Sequence, residues 1–366
     1  MEYIVGKSGK DNALEAVSEA CRGLNNPKLI LFSSEVRRFA DLTKEMRNAF
    51  PNSLIIGTTT YVGLSREGVF KDTLLVLGIE SGIECYGNVL EEVDRYPVKY
   101  VDRIEEAMNH FHDCNNTVCL EMSTALISSE ELIISTLNSV LMKKQIPLFG
   151  GSAGDSGTAD RTLISYNGVV YERACVFAII KNLNGRIKLF RENIYRPTQH
   201  YFTATKVDVK NRIVYEYDHK PAAEVMAKAL NTDIAHLPKY FDCNPLGRMI
   251  GEDMYITANQ MITKNNGIAY HARVYKNSHM VLLEQDDYRE VIKDTMTQIS
   301  KEIPKHSLAI MVHCLARCLL FEGDGYLNEY AKQMGSVLGD YVGFSGYGEQ
   351  LNQKHFNQTM VVAVFE

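Results

Sequence analysis

The chain has no tryptophan and few prolines, nine in 366 residues. More telling is the lack of certain motifs. No CxxC pair occurs, so nothing calls for a zinc ribbon or a thioredoxin-like redox centre. The eight cysteines (Cys21, Cys85, Cys114, Cys119, Cys175, Cys243, Cys314, Cys318) are scattered, several inside apolar runs. The spacings Cys114-x4-Cys119 and Cys314-x3-Cys318 lack matching second halves, so no metal site is expected, and the thiols read as reduced and buried in a cytoplasmic protein. No apolar run approaches the ~18–20 residues of a membrane-crossing helix. Met1–Val5 lacks the charged-then-apolar layout of a signal peptide. Basic residues are dispersed and the net charge is −6, which argues against nucleic acid and anionic membranes as partners. Gly150–Asp155 has no following lysine and no helix directly behind it, so neither nucleotide-loop fingerprint is met. No CxxCH motif is present, and the ten histidines are isolated apart from His110 and His112.

What is there is a pattern. Hydrophobic content of 45% and charged content of 23% describe a globular protein, and the length exceeds one ordinary core. Two modules are expected, 1–199 and 200–366, with the polar stretch Leu183–Pro197 as the boundary. A plan of strand, amphipathic helix, strand into a glycine-bearing turn, and closing strand recurs over about 28–79, 117–180 and 307–365. In the third copy SLAIMVHC is followed by a helix over Tyr326–Leu338, with Leu327, Tyr330, Met334 and Val337 on one face. The first strand's end and the turn glycine are similarly spaced each time: Phe32 to Gly57, Glu121 to Gly150, His313 to Gly343. Strands joined through a helix are usually parallel. The fold class expected is therefore α/β, with two modules of mixed sheets, helices on their outer faces, and a cleft where the modules meet. Asp11 or Asn12 should cap the first helix, Ser128-x-x-Glu131 could form a capping box, and Asn167-Gly168 marks a hairpin.

Parallel α/β sheets bind ligands at the carboxyl ends of their strands. That rule selects Cys314, Arg317 and the run Gly343, Tyr347, Gly348, Glu349 as ligand-binding candidates. Gly57 and Thr58, and Gly150, Gly151, Ser152 and Asp155, are their counterparts in the other copies. The glycines serve either a sharp turn or close backbone approach to a ligand. Asp155 either bonds local amides or lines the site. Arg317 suits a carboxylate through two parallel bonds, with Glu349 as its internal rival. Asn357 and Thr359 share a strand face and either present polar groups together or finish turn hydrogen bonds. His313 and Cys314 are adjacent on a strand and point to opposite faces, so they do not form a catalytic pair.

IIGTTTYVGL (55–64), PLFGGSAGD (147–155), KPAAEVM (220–226), HCLAR (313–317), GFSGYGE (343–349) and FNQT (356–359), in this order, resemble the FIST family of sensory proteins over residues 28–366. The resemblance implies a cytoplasmic small-molecule sensor, with amino acids or other small acids as ligands. It also implies a separate signalling partner (a kinase, chemotaxis or cyclic-dinucleotide module), since the chain leaves no room for an output module. No cofactor is expected. Haem-binding gas sensing is the alternative the family implies, and a cysteine-dependent enzyme on Cys314 is a further one. A two-fold homodimer is the base-rate expectation. The chain departs from the family in MYITANQM (254–261), which lacks the arginine relatives carry there.

Overall fold

The computed structural model describes residues 1–93, 95–251 and 253–366, and these fall into two compact units. Unit 1 comprises Met1–Arg191, Met296–His355 and Met360–Glu366; unit 2 comprises Glu192–Thr295 and Phe356–Thr359. This cuts the chain differently from a division at 199/200. The third copy of the pattern packs with the first two, because all three share one core.

In chain order, the first repeat holds β1 (Glu2–Ser8), α1 (Ala13–Ala20), β2 (Leu29–Ser34), α2 (Val36–Ala49), β3 (Leu54–Thr59), β4 (Gly63–Ser65), β5 (Gly68–Phe70) and β6 (Leu74–Ser81). The second holds β7 (Ile83–Glu91), α3 (Val101–Asn109), β8 (Thr117–Ser123), α4 (Glu130–Leu141), β9 (Leu148–Ser152), β10 (Ile164–Tyr166), β11 (Val169–Tyr171) and β12 (Ala174–Asn182). After β13 (Ile187–Asn193), which occupies the stretch read as a linker, unit 2 contributes β14 (Tyr195–Asp208), β15 (Ile213–Tyr217), β16 (Lys220–Pro221), α5 (Ala222–Ala229), β17 (Leu246–Ile250), β18 (Asp253–Thr257), β19 (Asn259–Ile262), β20 (Ile268–Tyr270) and β21 (His279–Gln285). Then come α6 (Tyr288–Glu302) and the third repeat: β22 (Leu308–Cys314), α7 (Leu315–Gly323), α8 (Leu327–Leu338), β23 (Tyr341–Gly346), β24 (Gly348–Leu351), β25 (Lys354–Phe356) and β26 (Thr359–Phe365).

The sheets of unit 1 follow one rule. Their orders are β1-β6-β2-β3-β10-β11, β7-β12-β8-β9-β24-β25 and β13-β26-β22-β23-β4-β5. Each repeat builds closing strand, first strand and second strand, the last two parallel. It then receives the hairpin of another repeat at its open edge. The first repeat takes β10–β11 from the second, the second takes β24–β25 from the third, and the third takes β4–β5 from the first. The exchange closes a ring of three.

Burial on both faces explains the sequence of these strands: every residue of β2, β8 and β22 is buried. One face of each sheet feeds a common core that includes Leu29, Leu31, Val118, Leu120, Ile310 and Val312. The other carries helices: α1 and α2 on the first sheet, α3 and α4 on the second, α7 and α8 on the third. Asn12 caps α1 by accepting from the Glu15 amide at 3.0 Å. Asn167 and Gly168 have φ of 47° and 89°, which is the hairpin turn read from the sequence. The capping box at 128–131 does not form. Ser129 is the N-cap, its hydroxyl makes no cap bond, and Ser128 has a φ of 54°.

Unit 2 is built on an eight-stranded sheet, ordered β18-β17-β21-β14-β15-β20-β19 with β16 on β15. Its core joins Phe202, Tyr217, Met226, Tyr270 and Leu282. Among the described residues no helix is long and apolar enough to cross a membrane.

Candidate functional site

The second strands of the three repeats end against one another. Gly154 N donates to Thr59 O at 2.9 Å, Tyr347 N to Ser152 O at 3.2 Å, and Tyr61 N to Ser345 O at 3.2 Å. Thr59, Ser152 and Ser345 are equivalent, since each pairs with the matching position of its first strand: Ser34, Ser123 and His313. The three bonds form a cycle, and it accounts for the glycines. A Cβ on Gly346 would lie 1.8 Å from Ser152 O, and one on Gly154 would lie 2.3 Å from Ser345 O. Gly151 abuts Val312 and Gly348 O, while Gly348 faces the His355 ring.

GFSGYGE is therefore two strands, β23 and β24, with Tyr347 between them, and Gly150-Gly151-Ser152 lies within β9. Close approach is what these glycines provide, and the neighbour is the protein itself: backbone carbonyls at Gly150, Gly154 and Gly346, side chains at Gly151, Gly343 and Gly348. By register the outward residues above the repeat glycines are Phe32 on Gly57, Glu121 on Gly150 and Met311 on Gly343. The third pairing thus begins two residues before the His313 expected from spacing. Leu31, Thr58, Leu75, Met122, Ile310 and Phe344 surround a void of about 20 Å³, room for little more than one water. Thr58 donates to Thr59 O, and Gly343 adds backbone to the same void.

Asp155 anchors its own loop. Oδ1 accepts from Gly157 N at 2.8 Å and from the Tyr347 hydroxyl at 2.6 Å, and Oδ2 accepts from Asp160 N at 2.9 Å. Burial works to raise the Asp155 carboxyl, but those bonds hold it below the usual range, while burial and Asp155 push the Tyr347 phenol up. Asn357 and Thr359 fall in unit 2, where Asn357 Oδ1 accepts from Ala258 N at 3.3 Å.

Cys314 and Arg317 belong to a distinct buried cluster at the strand-to-helix junction of the third repeat. Cys314 is the N-cap of α7, an element missed in the sequence because no cap or breaker separates it from β22. Arg317 lies in the first turn and is fully buried. Its guanidinium carbon sits 5.2 Å from the Phe321 ring centroid and 6.0 Å from that of Tyr330. His313 points into the same space, its ring centroid 5.0 Å from Tyr330's. His313 Nδ1 is 3.2 Å from Cys318 Sγ, so the histidine's thiol partner is five residues on and not its neighbour Cys314.

Burial, with the Arg317 charge added, holds the imidazole well below its usual pKa. Burial likewise pushes the Cys318 thiol up to about 12, outweighing Ser345 and Arg317, which lower it; Glu349 acts in the upward direction. Both groups are neutral at pH 7, a thiol and an imidazole rather than an activated thiolate pair. Glu349, fully buried, completes the charged set. His313, Cys318, Ser345 and Tyr330 were not among the ligand-binding candidates read from the sequence. The usable signal was the strand end followed directly by LARCLLF, which carries position 318 back over the sheet.

The first repeat has a counterpart. Arg38 stands four residues after Ser34, as Arg317 stands four after His313, and it too is buried. Arg38 pairs with Glu35 and donates to Lys10 O and, at 2.7 Å, to Asp72 O.

Models of known protein families match most of this chain. The FIST N domain model matches residues 28–220 and the FIST C domain model residues 222–352. An uncharacterized protein of Methanocaldococcus jannaschii is 25% identical over 405 residues, covering 97% of this chain and 77% of its own length.

Proposed function

The chain belongs to the FIST family, whose domains are sensory domains implicated in signal transduction and small-ligand binding, and from that premise we propose a cytoplasmic sensor that takes a small acid on Arg317 and reports it to a separate signalling protein. The observation that carries this reading is a fully buried guanidinium in the first turn of α7, at the carboxyl end of a parallel strand. Planar carboxylates match its fork of donors. Because Arg317 has no exposed surface, an acid can reach it only if the start of α7 moves. Binding and conformational change are then one event, which is the coupling a sensor needs. The neutral His313–Cys318 pair supports binding over thiol catalysis.

Thermal unfolding against a panel of carboxylic-acid metabolites tests the reading. One or more acids should raise the midpoint of the wild type, and Arg317→Met should abolish that rise while remaining folded. Retained affinity in Arg317→Met would sink the site assignment.

A further inference from the structure

The second repeat departs from the other two at one register position. Over Gly57 lies the Phe32 ring, with Ser165 opposite; over Gly343 lies Met311, with Leu64 opposite. Over Gly150 lies Glu121, with Gln350 opposite. Both Glu121 and Gln350 are fully buried. Gln350 directs its amide nitrogen to Ser152 Oγ and His355 Nδ1, each at 3.2 Å. Its Oε1 has no hydrogen-bond partner, and neither has Glu121 Oε1. The same holds for the hydroxyl of Ser129, the N-cap of α4, while Ser123, next on that face of β8, turns its hydroxyl to the Glu121 carboxyl.

These orphaned atoms are acceptors or hydroxyls, and the surroundings are not cationic. Glu121 Oε2 meets the Cys175 thiol at 3.5 Å, Glu130 from α4 adds negative charge, and Cys119 shares the strand. Among the described residues no cationic side chain acts on Glu121. Where the first and third repeats place Arg38 and Arg317, the second has Ile127. That residue sits in a connection over 124–129, much longer than its counterparts, in which Leu126 and Ser128 hold φ of 69° and 54°. Left-handed backbone at non-glycine residues costs about 1 kcal/mol each.

We propose that this buried polar cluster receives the protonated amine of a small ligand, with Glu121 as its counter-charge. An alkylammonium brings three donors and no acceptor. Glu121 Oε1, Gln350 Oε1 and the serine hydroxyls are the acceptors offered. The ligand thereby supplies the positive charge that the other two repeats carry in an arginine. Burial first, with Glu130 adding to it, pushes the Glu121 carboxyl up to about 8 against the Cys175 and Ser123 hydrogen bonds, so at pH 7 it holds a proton. Amine binding breaks that O–H bond and releases the proton to solvent. The site lies in a different repeat from Arg317 and stands whether or not Arg317 binds an acid.

The test uses the intact chain and methylammonium chloride, with sodium chloride at equal ionic strength as control. The unfolding midpoint should rise by about 1–3 °C in methylammonium. Calorimetry at pH 7 should show a heat that changes with the buffer's ionisation enthalpy, reporting the released proton. Both signals should vanish in Glu121→Gln, and Arg317→Lys should keep them. Gln350→Met, which removes an acceptor without touching the carboxyl, should weaken the midpoint rise at least several-fold, and it carries the test should Glu121→Gln fail to fold. No rise in the wild type, or an undiminished rise in these variants of the cluster, overturns the proposal.

Discussion

The first and second repeats share a backbone and differ in what they put on it. In the first, the outward face of the sheet is filled. Phe32 lies over Gly57 and stacks on Phe39 at 5.5 Å, and Arg38 satisfies itself on Glu35 and two carbonyls. In the second, the same face carries a buried acid, an amide and hydroxyls whose hydrogen-bonding capacity is partly unused. Buried polar atoms without partners are costly, and proteins retain few of them. The difference separates roles: the cyclic strand ends and their glycines hold the scaffold, leaving the outward positions free to specialise.

The sharpest way to break the comparison is at the feature the repeats share. Gly346→Val places a side chain where Ser152 O already sits, and it should cost about 4 kcal/mol or more by urea denaturation. Gly323→Ala in α7, where nothing lies within 4 Å, should stay within about 0.5 kcal/mol. A mild effect of Gly346→Val would mean that the cycle of strand ends is dispensable. Next is the plug of the first repeat. Arg38→Met strands the largely buried Glu35 and should cost about 3 kcal/mol; a loss below about 1 kcal/mol would remove the contrast with the second repeat.

Glu121→Gln should act in the opposite direction. A carboxyl raised from 4.5 to about 8 by folding contributes stability that is complete below 4.5 and is lost as pH rises through 8. The wild type should therefore lose about 4 kcal/mol between pH 4.5 and 8 that the glutamine variant keeps. Parallel pH profiles for the two proteins would show that Glu121 does not hold its proton. The smallest effect compares equivalent tyrosines. Tyr347→Phe removes the hydroxyl joining Asp155 and Ala159 and should cost about 1 kcal/mol, with faster proteolysis in 155–161. Tyr61→Phe, whose hydroxyl joins the exposed Glu322 and Lys71, should change stability by less than about 0.5 kcal/mol. Equal losses would erase the distinction.

Much of the repeat plan was legible in the sequence, because strands buried on both faces read as apolar runs and the helices between them keep one apolar face. The exchange of hairpins was not. Nothing local to GLS at 63–65 says that it pairs with Tyr341–Gly346, and backbone hydrogen bonds such as Tyr61 to Ser345 leave no mark on side-chain chemistry. Arg317 was legible as a polar residue at a strand end. Its surroundings were not, because α7 starts on Cys314 without a side-chain cap, and the His313–Cys318 contact crosses from strand to helix. Glu121 looked like one polar residue in an apolar run; its isolation appears only when register sets Gly150 and Gln350 beside it. FNQT was recognisable as a motif, but its Asn357 serves a backbone amide of unit 2.

The ring of exchanged hairpins also sets the timing of synthesis. Thr60 and Ser345, bonded across the cycle, are 285 positions apart. At about 5–20 residues per second, a ribosome needs roughly a quarter of a minute to a minute to cover that interval. For about that time β4–β5 has no strand to join, and for about two-thirds of it the open edge of β9 awaits β24. A nascent chain in this state is exposed to mispairing with its neighbours, so yield in cells should depend on chaperone supply more steeply than the finished protein's stability would indicate.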